Sequence, residues 1–379
     1  MTAYEAPSET TLSLQQLDMK TLARDVVRRL GPSLAGPASE DPIAAAARGR
    51  DAIEELGWTG LSVDEADGGL GLGATERCIV AEQVGRELLP VPFLSTSLAC
   101  DVLRLLCRED LARPRLCRIA EAQERVGVVA GTRLLAPALD HTGIRAASAQ
   151  DGSWFVDGHA CLVPEATGCT ALLVLATLED GGIGVFEVIA PAPGLVVSPV
   201  RTIDLRRDFA DITFSSVSAE RMDAASAIDI AAALRRVEYL AELTLAAEAV
   251  GGALACLDQT ITHVTARHQF GAPIGSFQAI KHRLARAWVS IESSRELVLA
   301  AAAAIDDKTA FQEQLAISAR IAASSALRLA ADEAIQFHGG MGFTWELGVH
   351  RYFRRSFVSD QILSTAGGRA ERLASTLGV

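Results

Sequence analysis

The sequence predicts an α+β protein laid out as helices, then an antiparallel sheet, then a helical bundle, and three changes of pattern along the chain predict it. Residues 1–124 place apolar side chains at spacings of three and four, the repeat of a helix with one buried face. Residues 125–222 switch to short β-branched runs separated by glycine, and residues 223–379 return to a helical pattern very rich in Ala and Leu.

In the first region, breaks are expected at Gly31-Pro32 and Gly36-Pro37. The glycine-rich stretch GWTGLSVDEADGGLGLG, Gly57–Gly73, has the look of a phosphate loop. It lacks the closing Lys-Ser/Thr, and no strand–glycine–helix unit frames it, so it reads as a loop between helices. The middle region supplies the strand candidates SWFVDG, ALLVLAT, GVFEVIA, GLVVSPV and ADITFSSV. The last region offers small residues along one helix face, which suits close packing in a bundle.

Composition narrows the function. A formal net charge of −12 and the lack of any long basic run argue against a nucleic-acid surface. The seven cysteines form no CxxC pair and no zinc spacing, so no metal site is expected. No apolar h-region opens the chain and no run approaches ~18 uninterrupted apolar residues, so the reading is a soluble, cytoplasmic protein without a membrane partner.

Two motifs carry the chemistry, RHQFGAPIGSFQAIKHRL at Arg267–Leu284 and QFHGGMGFTWE at Gln336–Glu346. Arginine suits phosphate, because a guanidinium forms two-pronged hydrogen bonds that an ammonium cannot match. Gly271 and Pro273 are expected to end the helix carrying Arg267, with Gln278 early in the next. Gln336 can donate and accept, and Gly339 and Gly340 would let backbone approach a phosphate where no Cβ fits. His338, a lone histidine beside glycines, reads as structural.

Together these motifs resemble the flavin-binding signatures of the acyl-CoA dehydrogenase family, and the resemblance covers essentially the whole length. It implies FAD as cofactor, an acyl-CoA substrate and an electron-acceptor flavoprotein. It implies that Arg267 binds the FAD pyrophosphate and that Phe270 packs on the cofactor, both reaching a flavin held by a neighbouring subunit. The cofactor-binding set is therefore Arg267, Phe270, Gln278, Gln336, Gly339 and Gly340.

The family removes the substrate α-proton with a carboxylate, from one of two positions. Counted along this chain they fall on Leu363 (or Ser364 with a one-residue gap) and on Ala241, so no catalytic residue is assigned. Glu242, Glu238, Glu248 and Asp360 lie nearby, and Glu242 is the best of them, although one helical step turns a side chain by ~100°. On the flavin-ring side the family's WITN-like segment corresponds to GHACLVPEA, which puts Leu162 and Pro164 where Trp and Thr contact the ring. Leucine cannot stack as tryptophan does, and proline has no amide N–H to offer. The loop usually found before it is replaced by LLAPALDHTGI, Leu134–Ile144.

A nucleotide side retained beside a ring side lost predicts the non-catalytic partner subunit of a heterotetrameric acyl-CoA dehydrogenase, similar to those of steroid side-chain catabolism. The partner would be a paralogous subunit carrying the glutamate. Two other readings stay open: a self-sufficient homomeric dehydrogenase using Glu242, and a flavin-free acyl-CoA-binding scaffold.

Overall fold

A computed structural model describes residues 12–34, 42–130, 143–223 and 230–378. Among the described residues, five helices come first: α1 (Leu14–Leu34), α2 (Pro42–Glu55), α3 (Ala74–Glu87), α4 (Phe93–Leu106) and α5 (Glu109–Ala120). The expected break at Gly31-Pro32 is not seen, because α1 runs through both residues to Leu34. Near a helix end the missing proline N–H removes a single bond, and Ala23 and Val27 hold the helix against the core. Gly36-Pro37 lies outside the described residues. The glycine-rich stretch at 57–73 is a loop with two short 3₁₀ turns, as its sequence implies.

Seven strands follow among the described residues: β1 (Val126–Val129), β2 (Ile144–Ser148), β3 (Trp154–Pro164), β4 (Ala171–Thr177), β5 (Ile183–Ile189), β6 (Leu195–Pro199) and β7 (Phe209–Arg221). Their neighbour order is β1-β4-β2-β3-β7-β5, with β6 on β7 and a further β4–β5 pairing that closes the circuit. Closure wraps the sheet around its own apolar interior, which includes Ile144, Val156, Val174, Phe186 and Ile212. The pairing is mostly antiparallel, as the short alternating runs predict, but β1–β4 and β2–β4 are parallel. Sequence runs do not reveal partner direction, so those two contacts were not legible.

The last region is a bundle: α6 (Ile230–Ala266), α7 (Gln278–Asp306), α8 (Gln312–His338), α9 (His350–Ser359) and α10 (Ala366–Leu377), with a two-residue hairpin, β8 (His268–Gln269) and β9 (Ala272–Pro273), between α6 and α7. Helix α6 is long and apolar enough to cross a membrane by length and composition, yet 94% of its most apolar window is buried inside the protein. It is a core helix. Helix α3 crosses it at very short range, because a Cβ at Gly85 would stand 2.0 Å from the Glu248 carbonyl oxygen and one at Gly251 1.8 Å from that of Glu82. Glycine at both positions is what permits this approach.

Beyond the barrel interior, two apolar clusters hold the chain together. One joins α3, α6, α7 and α8. The other joins α4, α5, β1 and β4 to α6 through Val237, Ala241 and Leu245, and to Ile362 and Leu363.

Candidate functional site

The two motifs meet at one end of the bundle. Helices α6 and α8 finish there, and the His263 and His338 rings, 4.2 Å apart, join the two ends. His338 also turns its Nδ1 to the Ala334 carbonyl at 2.7 Å, which makes it a packed residue, as read from sequence. Burial, followed by the charges of His338 and Arg267, holds His263 below its ordinary pKa. Helix α7 starts at the same end, where Arg283 donates to Glu333 of α8 at 3.0 Å and lies 4.8 Å from the Phe337 ring centre.

Helix α6 ends at Ala266, so Arg267 lies one residue beyond the helix expected to carry it. Its backbone N–H still donates to the His263 carbonyl, and its carbonyl accepts from Ile274 N–H across the hairpin, both at 2.8 Å. Its side chain is exposed, and among the described residues no carboxylate pairs with it. Phe270 and Gly271 form the hairpin tip with φ of 53° and 78°. A two-residue hairpin turn of this hand needs positive φ twice, which glycine accepts freely and phenylalanine resists by roughly 1–2 kcal/mol. Phe270 is 94% exposed, and its ring meets the Phe277 ring edge-on at 6.3 Å between centres.

The remaining expected residues sit beside this tip. Gln278 opens α7, as the motif implies, and is exposed. Gln336 is exposed near the end of α8. Gly339 caps α8 at φ 60° and ψ −135°, a conformation almost restricted to glycine. A Cβ at Gly339 or Gly340 would meet nothing within 4 Å, so the backbone there faces open space. The structure thus brings all six residues to one exposed end. Sequence reasoning missed an apolar rim at the same end, formed by Phe277 (37% exposed), Met341 (54%) and Phe343 (70%), although both motifs contain it.

The positions where a catalytic carboxylate would fall look different. Ala241 and Leu363 are buried in one dry cluster with Leu94, Leu98, Val237 and Phe209. Leu363 holds φ 70° with no exposed surface, a strained backbone fixed by packing. Glu242 is also fully buried, but both of its oxygens are engaged. Oε2 accepts from Arg320 Nε at 2.9 Å and Oε1 from Ser364 Oγ at 2.7 Å. Arg320 in turn donates to Ser324 Oγ at 2.6 Å and to the Ser359 carbonyl.

The other carboxylates are pinned as well. Asp360 pairs with Arg369, and Glu238 with Arg372. Glu248 lies between Arg207 and Arg355. Burial alone would raise the pKa of Glu248, but the two guanidiniums hold it below its ordinary range. Each of these carboxylates is thus paired with at least one arginine.

On the ring side, Leu162 stands at φ 52° with 49% exposure, and its N–H donates to Asp211 Oδ1 at 2.9 Å. Pro164 is buried at the end of β3, paired with Phe209. Residues 134–142 of the altered loop lie outside the described residues.

Comparison with known proteins places this geometry. The family description "Acyl-CoA dehydrogenase, N-terminal domain" matches residues 15–123, and "Acyl-CoA dehydrogenase, C-terminal domain" matches residues 240–377. The chain is 32% identical to the acyl-CoA dehydrogenase IpdE2 of Mycobacterium tuberculosis, over 94% of this chain and 96% of that protein. The chain belongs to the acyl-CoA dehydrogenase family. Its fold is shared by a solved variant of the steroid ACAD Tcur3481-Tcur3483, at 27% identity and a TM-score of 0.81 over 96% of this chain and 98% of that one. The ChsE4-ChsE5 complex from Mycobacterium tuberculosis shares it at 22% identity and a TM-score of 0.82, over 97% and 98%.

Membership makes the chain an FAD-dependent acyl-CoA oxidoreductase of this family. Its residues fit the cofactor unevenly. An exposed arginine, open glycine backbone and a projecting aromatic suit the nucleotide, whereas at the positions the resemblance assigns to the ring, the side chains of Leu162 and the buried Pro164 neither stack nor donate.

Proposed function

We propose that this chain is the non-catalytic partner subunit of a heteromeric acyl-CoA dehydrogenase, completing an FAD site whose ring pocket and catalytic carboxylate belong to a paralogous subunit. The observation that carries the reading is the placement of the two halves. Every nucleotide-side residue lies on the outside of the chain, while Ala241 and Leu363 fill the base positions with apolar packing.

In such a complex a bound FAD would supply the hydride acceptor for desaturation of the acyl-CoA between its α and β carbons. This chain's residues bind and orient. The Arg267 guanidinium carries positive charge and paired donors to phosphate, and the backbone at Gly339 and Gly340 lets phosphate come close. Gln278 and Gln336 offer amide groups of both polarities. Phe270 covers apolar cofactor surface and shields it from water. The proton-abstracting carboxylate comes from the other subunit.

The solved steroid ACAD at 27% identity combines two proteins, which supports a two-subunit assembly and a steroid-derived CoA thioester as substrate. A cytoplasmic site and an electron-transferring flavoprotein as acceptor complete the reading. A homomeric enzyme using Glu242 is disfavoured by the engagement of both its oxygens.

Purification tests this directly. Expressed alone, the chain is expected to be colourless and inactive. Co-expressed with a glutamate-bearing paralogue, it is expected to co-purify with flavin and to reduce an acceptor with acyl-CoA. Yellow, active protein from the chain alone overturns the proposal, and colourless protein with every paralogue leaves the scaffold.

A further inference from the structure

Strands β3 and β7 carry a cluster that the dehydrogenase reading does not use. Residues two apart on a strand share a face, so His159 and Cys161 of β3 project together, as do Asp211 and Thr213 of β7. The antiparallel register pairs His159 with Thr213 and Ala160 with Ile212, and the bulge that follows leaves Cys161 and Leu162 beside Asp211. One ligand atom each from His159, Cys161 and Asp211 lies within 4.8 Å of the others. An imidazole, a thiol and a carboxylate on one outer sheet face are unlike the solvated polar residues such a face ordinarily carries. Cysteine is a residue of interiors, and here it is part-exposed.

We propose that His159, Cys161 and Asp211 bind a single borderline transition-metal ion of the zinc class, with the fourth position open. The orientation of each side chain supports this. His159 Nε2 faces Cys161 Sγ at 2.9 Å, while its Nδ1 faces Thr213 Oγ1 at 3.2 Å. In the tautomer with its hydrogen on Nδ1, the ring donates to the hydroxyl and keeps the Nε2 lone pair free to ligate, the arrangement that orients metal-bound histidines. Asp211 Oδ1 is held by the Leu162 N–H, which leaves Oδ2 for the ion.

The bulge between Ala160 and Val163 brings that N–H to the carboxylate, so Leu162 at positive φ becomes part of the support. Ligand atoms around tetrahedral zinc stand roughly 3.2–3.6 Å apart, so side-chain rotations of about an ångström convert the cluster into a coordination set. Forming the metal–sulfur bond releases the Cys161 proton to solvent. A Cys/His/Asp set is soft enough to exclude Mg²⁺ and Ca²⁺, which take oxygen ligands.

The full-length chain, purified reduced and stripped with a chelator, is titrated with Co²⁺ as a spectroscopic probe and then with Zn²⁺. One Co²⁺ per chain is expected, with a thiolate-to-cobalt charge-transfer band that Zn²⁺ abolishes. Cys161→Ser is expected to remove that band, while Cys169→Ser and Cys117→Ser retain it. Thr213→Val is expected to weaken the site by ~10-fold or more through loss of the imidazole's support. His159→Ala, at an exposed position, serves where Cys161→Ser fails to fold. Absence of the band in the unaltered chain, or its survival in Cys161→Ser or His159→Ala, overturns the proposal.

Discussion

Removing the Glu242 carboxylate separates a structural role from a catalytic one. In Glu242→Ala the Arg320 guanidinium, only 1% exposed, would keep Ser324 and Ser359 but lose its counter-charge. Leaving one member of a buried pair uncompensated costs about 3–5 kcal/mol. Unfolding entropy near 2.1 cal/mol/K per residue gives roughly 0.8 kcal/mol/K for 379 residues, so the thermal midpoint should fall by roughly 4–6 °C. The double variant Glu242→Ala/Arg320→Met removes both charges and should recover most of that loss, since apolar replacement of a buried pair is often neutral. The assay is a thermal melt of each variant, run beside dehydrogenase turnover of the co-expressed complex. Stability is expected to track the pair, and turnover per folded complex to stay within about twofold. An unchanged midpoint with turnover abolished would refute the structural assignment and restore Glu242 as a base.

Three other outcomes follow from the same geometry. Arg267→Ala should leave the melting of the isolated chain unchanged, because its side chain is exposed, yet raise the flavin dissociation constant of the complex by ~10–100-fold, the worth of a charge-assisted hydrogen bond, read by fluorescence titration. Phe270→Gly should stabilise the isolated chain by roughly 0.5–1 kcal/mol, relief of left-handed strain less glycine's entropy, while weakening assembly measured by sedimentation. Burial, with Glu242 adding to it, pushes Glu238 up to about 7 despite its pairing with Arg372. A folded pKa above the unfolded one means that the native state binds the extra proton between about 4.5 and about 7, so this group's stabilisation fades as pH rises through that window. Glu238→Gln should flatten that part of the profile in melts taken from pH 5 to 8.

Much of the fold was legible because it rests on periodicity. The three-and-four spacing of the first and last regions and the alternation in ADITFSSV report local backbone, and the structure forms helices and strands there. What stayed hidden depends on chain segments meeting. The Glu242–Arg320 pair spans 78 residues, and nothing in either segment announces the other. The parallel contacts of β4 and the side-by-side placement of His159 and Asp211 depend on strand register, which one sequence does not specify.

The two motifs were legible in the sequence, but the surroundings of their residues were not. Phenylalanine is a poor predictor of positive φ, so the projecting tip at Phe270 and the early end of α6 before Arg267 emerge only from the backbone. The exposure of Phe277, Met341 and Phe343 likewise emerges only from the folded chain.

The outward placement of Arg267, Phe270 and Gly339 also has a thermodynamic meaning. A pocket enclosed by one chain loads at a level set by ligand concentration alone. On the partner-subunit reading proposed above, half a pocket on an outer surface would make cofactor retention and subunit association reciprocal, each tightening the other by the same factor. Dilution would then strip cofactor and complex together, and added FAD would rescue assembly. For a cell, the scarcer of the two chains would set how much holoenzyme exists, making the ratio of the subunits a rheostat for the pathway they serve.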